Sequence, residues 1–413
     1  MNSNKPIPDH TFCILPWIHL NVWPSGDVHA CCLGDWSNPI GNVKNNTLEE
    51  IANSDALKLM RKQMLDGVTP SVCERCVERE HLNITSLRQS KNNIFKHLIP
   101  EALANTTDDY GLKKLKLRYW DFRFSNLCNM KCRMCGAGFS SMWYDDEIAI
   151  GGKTHINKRV VNANDYSKQD LITFIDDNIN DVEFIYFAGG EPLIMDEHYY
   201  ILEKLIEIGK TDTVLRYNTN GLKLQFKSHN LLELWSKFSK VNVACSIDSY
   251  GKRAEYVRHG TRWDVLTNNI STLVAMDNIT LEIEVTTSIF NIYTLPELFD
   301  ELVMLGVQLP QIQTHNILQN PVYYHSALLS DSDKQNVVDK FTSYKNQHEL
   351  QESTVLQSKF SSVIENMYKN LEDKQMWLKM FKDKTDTLDK LRHENFLKTF
   401  PELANFYNSI NND

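Results

Sequence analysis

Apolar and polar positions alternate in a regular order between residues 115 and 320. Short apolar runs, rich in β-branched and aromatic residues, are separated by longer stretches whose apolar residues recur at helical spacing. The short runs predict strands at Leu115–Phe124, Val182–Ala188, Thr213–Thr219, Val241–Ile247, Leu281–Thr287 and Gln311–His315. The longer stretches predict helices at Gln169–Ile179, Tyr199–Ile208, Leu231–Phe238, Arg262–Ala275 and Leu295–Leu305. This order predicts an α/β fold with a parallel sheet and right-handed crossovers, in which ligands bind at the carboxyl ends of the strands.

A smaller unit precedes this region, at residues 11–80. Two strand-like runs on either side of the turn Pro24–Asp27 predict a β-hairpin. After the hairpin, Thr47 and Glu50 form a capping-box pattern and Gly67 is a typical C-terminal stop. We therefore expect one helix between Thr47 and Gly67.

Two further segments complete the predicted organisation. Residues 81–114 form a helical, partly charged connector, and residues 321–413 follow the last predicted strand. Caps at Ser330 and Asp331 and a breaker at Pro401 predict a helical extension. We expect these helices to pack against the α/β region and to close its open side; a basic surface for a partner is the less supported alternative.

Composition restricts the classes of function. The chain has 413 residues, enough for two to three domains, and its formal charge of −9 argues against non-specific nucleic-acid binding. No apolar run approaches the roughly 18 residues of a membrane helix, and Met1–His10 lacks the apolar region of a secretory signal. Eight of the nine cysteines fall into three groups and only Cys245 stands alone, which is typical of metal ligands in a reducing compartment. We therefore expect a cytoplasmic protein.

Three cysteines follow the first predicted strand of the α/β region at the spacing Cys128-x₃-Cys132-x₂-Cys135. Three thiolates on one short loop can bind three irons of a [4Fe–4S] cubane and leave the fourth iron open for chemistry. A zinc site with a fourth ligand from elsewhere is the alternative.

Four other cysteines bracket the hairpin and the helix of the smaller unit: Cys13, Cys31, Cys73 and Cys76. Either a fully ligated iron–sulfur cluster or a structural zinc ion would tie these ends together and stabilise a unit with a small core. The adjacent Cys32 is a spare thiol, for which a buried apolar role is expected.

Two motifs downstream add to the cysteine triplet. Gly189-Gly190-Glu191-Pro192 follows the second predicted strand, and Ser246-Ile247-Asp248 ends the fourth, with Arg258 ten residues beyond Asp248. In this order the motifs resemble the radical S-adenosylmethionine (radical SAM) superfamily. The resemblance implies a partial (β/α)₆ barrel whose open iron binds SAM. Reductive cleavage of SAM would yield a 5′-deoxyadenosyl radical that takes a hydrogen atom from substrate.

The resemblance also implies roles for individual residues. It assigns contacts with SAM to Gly189, Gly190, Glu191, Ser246, Asp248 and Arg258, and places Met134 beside the adenine. Asn218–Gly221 and Thr287-Ser288 end other predicted strands, where ordinary turns are at least an equal alternative. His315 ends the sixth strand, but the sequence identifies no catalytic acid, base or radical partner.

The smaller unit has a resemblance of its own. Cys13, Gly26 and Cys31, followed by Cys73-x₂-Cys76, are similar to the twitch domain, a shortened SPASM domain whose four cysteines bind an auxiliary [4Fe–4S] cluster. Related enzymes usually carry this domain after the barrel, whereas here it precedes it.

The substrate is left open by the sequence. The resemblance implies a radical SAM enzyme that acts on a small molecule or on a peptide or protein side chain, held between the two clusters. It also implies an electron donor such as flavodoxin or ferredoxin. The competing hypothesis is a non-catalytic iron–sulfur or zinc protein with a role in electron transfer or structure.

Overall fold

The computed structural model describes residues 8–81, 84–154, 156–166 and 170–410. The chain forms two compact units. The first comprises Met1–Leu127, Val160–Arg216 and Glu233–Lys240, and the second comprises Cys128–Arg159, Tyr217–Leu232 and Val241–Asp413. Most of the polar N-terminal segment and residue 169 of one predicted helix lie outside the described residues.

The strands have the following bounds: β1 His19–Val22, β2 Asp27–His29, β3 Gly41–Asn42, β4 Tyr119–Phe122, β5 Phe184–Phe187, β6 Val214–Thr219, β7 Gln225–Phe226, β8 His229–Asn230, β9 Val241–Ser246, β10 Ile279–Thr287 and β11 Ile312–Ile317. The helices of the first unit and of its loops are α1 Leu15–Ile18, α2 Leu48–Ala52, α3 Asp55–Asp66, α4 Glu74–His81, α5 Leu87–Ile94, α6 Ile99–Ala104, α8 Leu171–Asn178 and α9 Asp196–Glu207. The remaining helices are α7 Trp143–Gly151, α10 Leu231–Trp235, α11 Gly251–Val257, α12 Trp263–Val274, α13 Leu295–Met304, α14 Asp331–Lys345, α15 Leu350–Met367, α16 Lys374–Arg392, α17 Phe396–Thr399 and α18 Ala404–Asn408.

The sheet of the first unit joins the hairpin to the parallel strands. β1 pairs antiparallel with β2 and parallel with β4, so that Asn21 lies opposite His29 on one side and Asp121 on the other. The strand order is β5-β4-β1-β2-β3. The predicted hairpin is therefore present, and its first strand extends the edge of the parallel sheet.

The second unit contains the parallel strands β9, β10 and β11. Val241 lies opposite Ile279, and Ile283 lies opposite Ile312. Residues of β10 alternate between buried and half-buried positions, as expected when one face of a strand packs against helices. β6 begins in the first unit and ends in the second.

Each predicted strand of the α/β region overlaps an observed one, but the predicted single helix after Thr47 is wrong. Thr47 and Glu50 do form the capping box, and Gly67 ends the segment with a left-handed φ of 78°. Between them, however, α2 ends at Ala52. The Ser54 side chain then accepts a hydrogen bond from the backbone N–H of Leu57 and caps a new helix, α3.

The helical C-terminal extension is confirmed. The side chain of Ser330 accepts a hydrogen bond from the N–H of Asp333 and caps α14. In the second unit, Phe381 of α16 and Phe400 pack on Phe290, with ring centroids 6.3 and 5.7 Å away. No helix in the described part of the chain is both long and apolar enough to span a membrane. The predicted domain limits at residues 80, 114 and 320 stay predictions.

Candidate active site

The cysteine triplet lies on one loop of the second unit. Cys132 is buried, whereas Cys128 and Cys135 are half-buried. The thiol of Cys135 is hydrogen-bonded to that of Cys132, and Cys128 is within electrostatic range of Cys135. The three thiols therefore lie near one another, as ligands to three irons of one cubane must.

Backbone hydrogen bonds fix this loop on the end of α11 and on the segment that follows it. The N–H of Lys131 donates to the carbonyl of His259, and the N–H of Arg133 donates to the carbonyl of Val257, both at 2.9 Å. A Cβ at Gly260 would stand 3.0 Å from the carbonyl oxygen of Asn129, so a glycine permits the close approach of the two segments.

Arg258 brings a positive charge to the triplet. Its Nη1 lies 3.9 Å from the sulfur of Cys132. The pKa of Cys132 is lowered to about 7, although burial by itself raises it. The hydrogen bond with Cys135 has the larger lowering effect, and the charge of Arg258 the smaller. The same hydrogen bond raises the pKa of Cys135, so the charge of Arg258 is the part of the arrangement that favours the thiolate, the form that binds iron.

Two of the three charged residues assigned to SAM, Asp248 and Arg258, bind each other. Nε and Nη2 of Arg258 donate to the carboxylate of Asp248 at 2.7 and 3.1 Å. Asp248 is buried and also accepts a hydrogen bond from the N–H of Thr286 at 2.8 Å. Asp248 therefore orients Arg258, and Nη1 is the part of the guanidinium directed to the cysteine loop.

The Gly189–Pro192 turn packs in the first unit on the residues that lead into Cys128. The N–H of Gly190 donates to Ser125 and the N–H of Glu191 donates to Leu127. A Cβ at Gly190 would stand 2.2 Å from the carbonyl oxygen of Leu127, which leaves no room for any other residue. Glu191 is buried, and its carboxylate accepts a hydrogen bond from the N–H of Leu193.

The other predicted residues differ in their surroundings. Met134 is half-buried in the cysteine loop, and Ser246 is half-buried at the end of β9. Asn220 donates through its side chain to the side chain of Asn129 in the cysteine loop, at 2.8 Å. Ser288 is fully buried, which fits a structural role, and His315 is exposed.

The four cysteines of the smaller unit come together in the first unit. Cys13, Cys31 and Cys73 line one cavity, and the thiol of Cys13 is within electrostatic range of those of Cys31, Cys73 and Cys76. Burial raises the pKa of Cys31 and that of Cys73 to about 12. Bound cations would be needed to hold these thiols as thiolates.

No three His, Cys, Asp or Glu side chains in the described ranges are arranged around a single metal ion. In a cubane, each thiolate binds a different iron, so its ligands surround a cluster instead of one ion. The cavity lined by the cysteines fits such a group.

Two family models match the chain. Residues 13–77 match the SPASM iron–sulfur cluster-binding domain, and residues 122–307 match the radical SAM superfamily. Together the two matches cover more than half of the chain. The chain therefore contains a SPASM domain followed by a radical SAM domain. The radical SAM domain implies a [4Fe–4S] cluster and SAM, and the SPASM domain implies auxiliary iron–sulfur. The predicted α/β fold with a radical SAM partial barrel is confirmed, as is the position of the auxiliary domain before the barrel.

Several solved structures are similar to this chain at low identity. The structure of TYW1 with a lysine–pyruvate adduct bound is 15% identical with a TM-score of 0.25, over 45% of this chain and 59% of that chain. The structure of Streptococcus suis SuiB bound to precursor peptide SuiA is 14% identical with a TM-score of 0.33. The match covers 80% of this chain and 69% of the SuiB chain. The structure of SuiB bound to S-adenosylmethionine is 15% identical with a TM-score of 0.31. The match covers 70% of this chain and 62% of the SuiB chain. This chain thus spans less than two thirds of the TYW1 chain, and no curated protein matches it.

An ion-pair network around the cysteine loop was not predicted from the sequence. Arg133, between two of the loop cysteines, is completely buried and pairs with Asp389 of α16 and with Glu394, the latter at 2.6 Å. Its guanidinium lies 3.7 Å from the ring centroid of Tyr256, whose hydroxyl donates to Asp389. The Nδ1 of His259 is 2.6 Å from Glu394. The C-terminal extension therefore holds the cysteine loop directly.

A second set of contacts supports the same loop. Asp146 of α7 accepts hydrogen bonds from Lys131 at 2.8 Å and from Arg392 of α16 at 2.9 Å. Arg392 also lies over the ring of Trp143, whose indole N–H donates to the carbonyl of Cys132. Lys131 and Arg133, the two basic residues inside the cysteine motif, are the features of the sequence that could have indicated these networks. A buried cation requires a partner.

Proposed function

We propose that the enzyme cleaves SAM reductively at the site formed by Cys128, Cys132 and Cys135. The observation that carries this proposal is the convergence of three thiols on one loop beside the guanidinium of Arg258. When bound there, the [4Fe–4S] cluster would supply one electron to the sulfonium of SAM. The product radical would take a hydrogen atom from an organic substrate.

The chain's own residues hold and orient the reacting groups in this proposal. Asp248 fixes the guanidinium of Arg258, so that Nη1 can bind the carboxylate of SAM with little loss of side-chain freedom. The backbone of Gly189, Gly190 and Glu191 would receive the amino group of SAM. Ser246 would contact the ribose, and the backbone of Met134 would contact the adenine.

The auxiliary site is assigned to Cys13, Cys31, Cys73 and Cys76. Cys13, Cys31 and Cys73 line one cavity and the thiol of Cys76 lies within electrostatic range of Cys13, which supports a closed cluster with a protein ligand on each iron. We retain both substrate classes, a small molecule and a peptide or protein side chain. A flavodoxin or ferredoxin as donor and a cytoplasmic location remain part of the proposal.

Turnover of SAM tests the proposed function. Anaerobically reconstituted wild-type protein is expected to convert SAM into equal amounts of 5′-deoxyadenosine and methionine when dithionite is added, as quantified by liquid chromatography. Samples without dithionite should form neither product. If the reduced protein yields no more 5′-deoxyadenosine than a protein-free sample, the proposed function is wrong and a non-catalytic iron–sulfur protein takes its place.

A further inference from the structure

One face of the sheet in the first unit is polar. Along β4, Trp120 and Phe122 point to the helices, and Phe122 contacts Phe174 of α8 at a centroid distance of 6.2 Å. Because side chains alternate along a strand, Tyr119 and Asp121 lie on the opposite face. The register sets His19 and Asn21 of β1 beside them. This polar face is defined by His19, Asn21, Tyr119, Asp121, Arg123, Phe184, Tyr186 and Arg216.

Lys91 of α5 reaches the polar face and is only 6% exposed. Its Nζ lies 4.2 Å from the ring centroid of Tyr119 and 4.2 Å from that of Phe184. Among the described residues, no carboxylate forms an ion pair with it. The pKa of Lys91 is lowered to about 8, mainly because the side chain is buried and secondly because of the charge of Arg216.

A buried ammonium without a counter-ion destabilises a folded protein. Cation–π contacts recover only part of the lost hydration, and lysines are almost never buried unless they are paired. The alternative of a methionine at this position would fill the same space between Tyr119 and Phe184 without that cost. The charge of Lys91 therefore indicates a ligand that supplies the missing anion.

The other charges near Lys91 have the sign that an anion requires. Arg123 binds the carboxylate of Asp121 at 3.1 Å, and its guanidinium lies 4.7 Å from the ring centroid of Trp23. Asp121 is within electrostatic range of Lys91, but its carboxylate is already bound by Arg123. The face lies next to the auxiliary cysteines, because the thiol of Cys32 is within electrostatic range of Asp121, Arg123 and Lys91 and is adjacent in sequence to Cys31.

We propose that the polar face binds an oxyanion group of the substrate, either a carboxylate or a phosphate, through the ammonium of Lys91 with support from Arg123. The rings of Tyr119 and Phe184 would contact the apolar part that carries the anion. The identification of the ligand as the substrate rests on the proposed function. The anion site itself does not.

Thermal unfolding of the reconstituted protein in the presence of simple anions tests the site. Inorganic phosphate and succinate serve as the two probes, each compared with sodium chloride at equal ionic strength. The unfolding midpoint of the wild type is expected to rise by several degrees with at least one probe. The probe that is effective identifies the anion as phosphate or carboxylate. The midpoint of Lys91→Met should not respond, and without a probe it should equal or exceed that of the wild type.

Lys96→Met is the matched control, because Lys96 is exposed just after α5, and this variant should respond as the wild type does. The proposal is overturned if neither probe shifts the wild type beyond chloride, if Lys91→Met responds equally, or if Lys91→Met lowers the midpoint without a probe. The last result would mean that Lys91 serves packing alone. An anion response in a wild-type protein that does not cleave SAM would instead contradict the proposed function and leave the anion site in place.

Discussion

Simultaneous replacement of Cys128, Cys132 and Cys135 by alanine is expected to abolish formation of 5′-deoxyadenosine. The three thiols are the only cysteines on the described loop that can ligate the SAM-binding cluster, so the variant has no site at which SAM can be reduced. Its iron content should fall by about four per chain, while the auxiliary iron remains. Iron analysis, circular dichroism and chromatography of the products measure these effects on the same sample.

Cys245→Ala provides the control for this prediction. Cys245 is fully buried in β9, and its sulfur packs near Gly221 and not in the cysteine loop. This variant should retain both SAM cleavage and the iron content of the wild type. Unfolding of the triple variant, or persistent formation of 5′-deoxyadenosine by it, would contradict the assignment of the loop as an open, catalytic site.

Arg133→Met is expected to lower the free energy of unfolding of the second unit by about 3–5 kcal/mol, the usual effect of removing one partner of a buried ion pair. The change leaves the carboxylates of Asp389 and Glu394 without their shared cation. Because Arg133 lies between Cys132 and Cys135, the iron content of the SAM-binding site should fall as well. Urea denaturation and iron analysis of the reconstituted variant measure the two effects.

Two further variants separate the role of the ion pairs from that of side-chain size. Arg133→Met combined with Asp389→Asn and Glu394→Gln removes the uncompensated charges and should restore much of the stability. Arg262→Met breaks an exposed ion pair with Asp264 and should leave the free energy of unfolding almost unchanged. If Arg133→Met is no more destabilising than Arg262→Met, the C-terminal extension does not hold the cysteine loop as described.

The strands and the cysteine loop could be predicted from the sequence, because both depend on patterns among residues that are close together in the chain. Alternation and run length located β4 to β6 and β9 to β11, since strand period and burial are local properties of the chain. The spacing of Cys128, Cys132 and Cys135 likewise encodes a site that one loop can form. The break between α2 and α3 was missed because the capping box and Gly67 were consistent with a single helix, although Ser54 offers a second cap.

Contacts between distant residues could not be predicted in this way. Arg133 and Asp389 are separated by 256 positions, and no local pattern marks them as partners. The pairing of Arg258 with Asp248 is closer in sequence, but both charges had been assigned to SAM, and only the structure shows that one orients the other. Lys91 is one of two charged residues in the polar helix α5, and its burial depends on the sheet face that the helix covers.

The most direct test of the central claim is the ⁵⁷Fe Mössbauer spectrum of anaerobically reconstituted wild-type protein, recorded with and without SAM. Two [4Fe–4S] clusters would give about eight irons per chain. Addition of SAM should change the signal of one iron, the open iron of the cluster held by Cys128, Cys132 and Cys135, and leave the auxiliary cluster unchanged. A spectrum that SAM does not alter would contradict the open site and, with it, the proposed reaction.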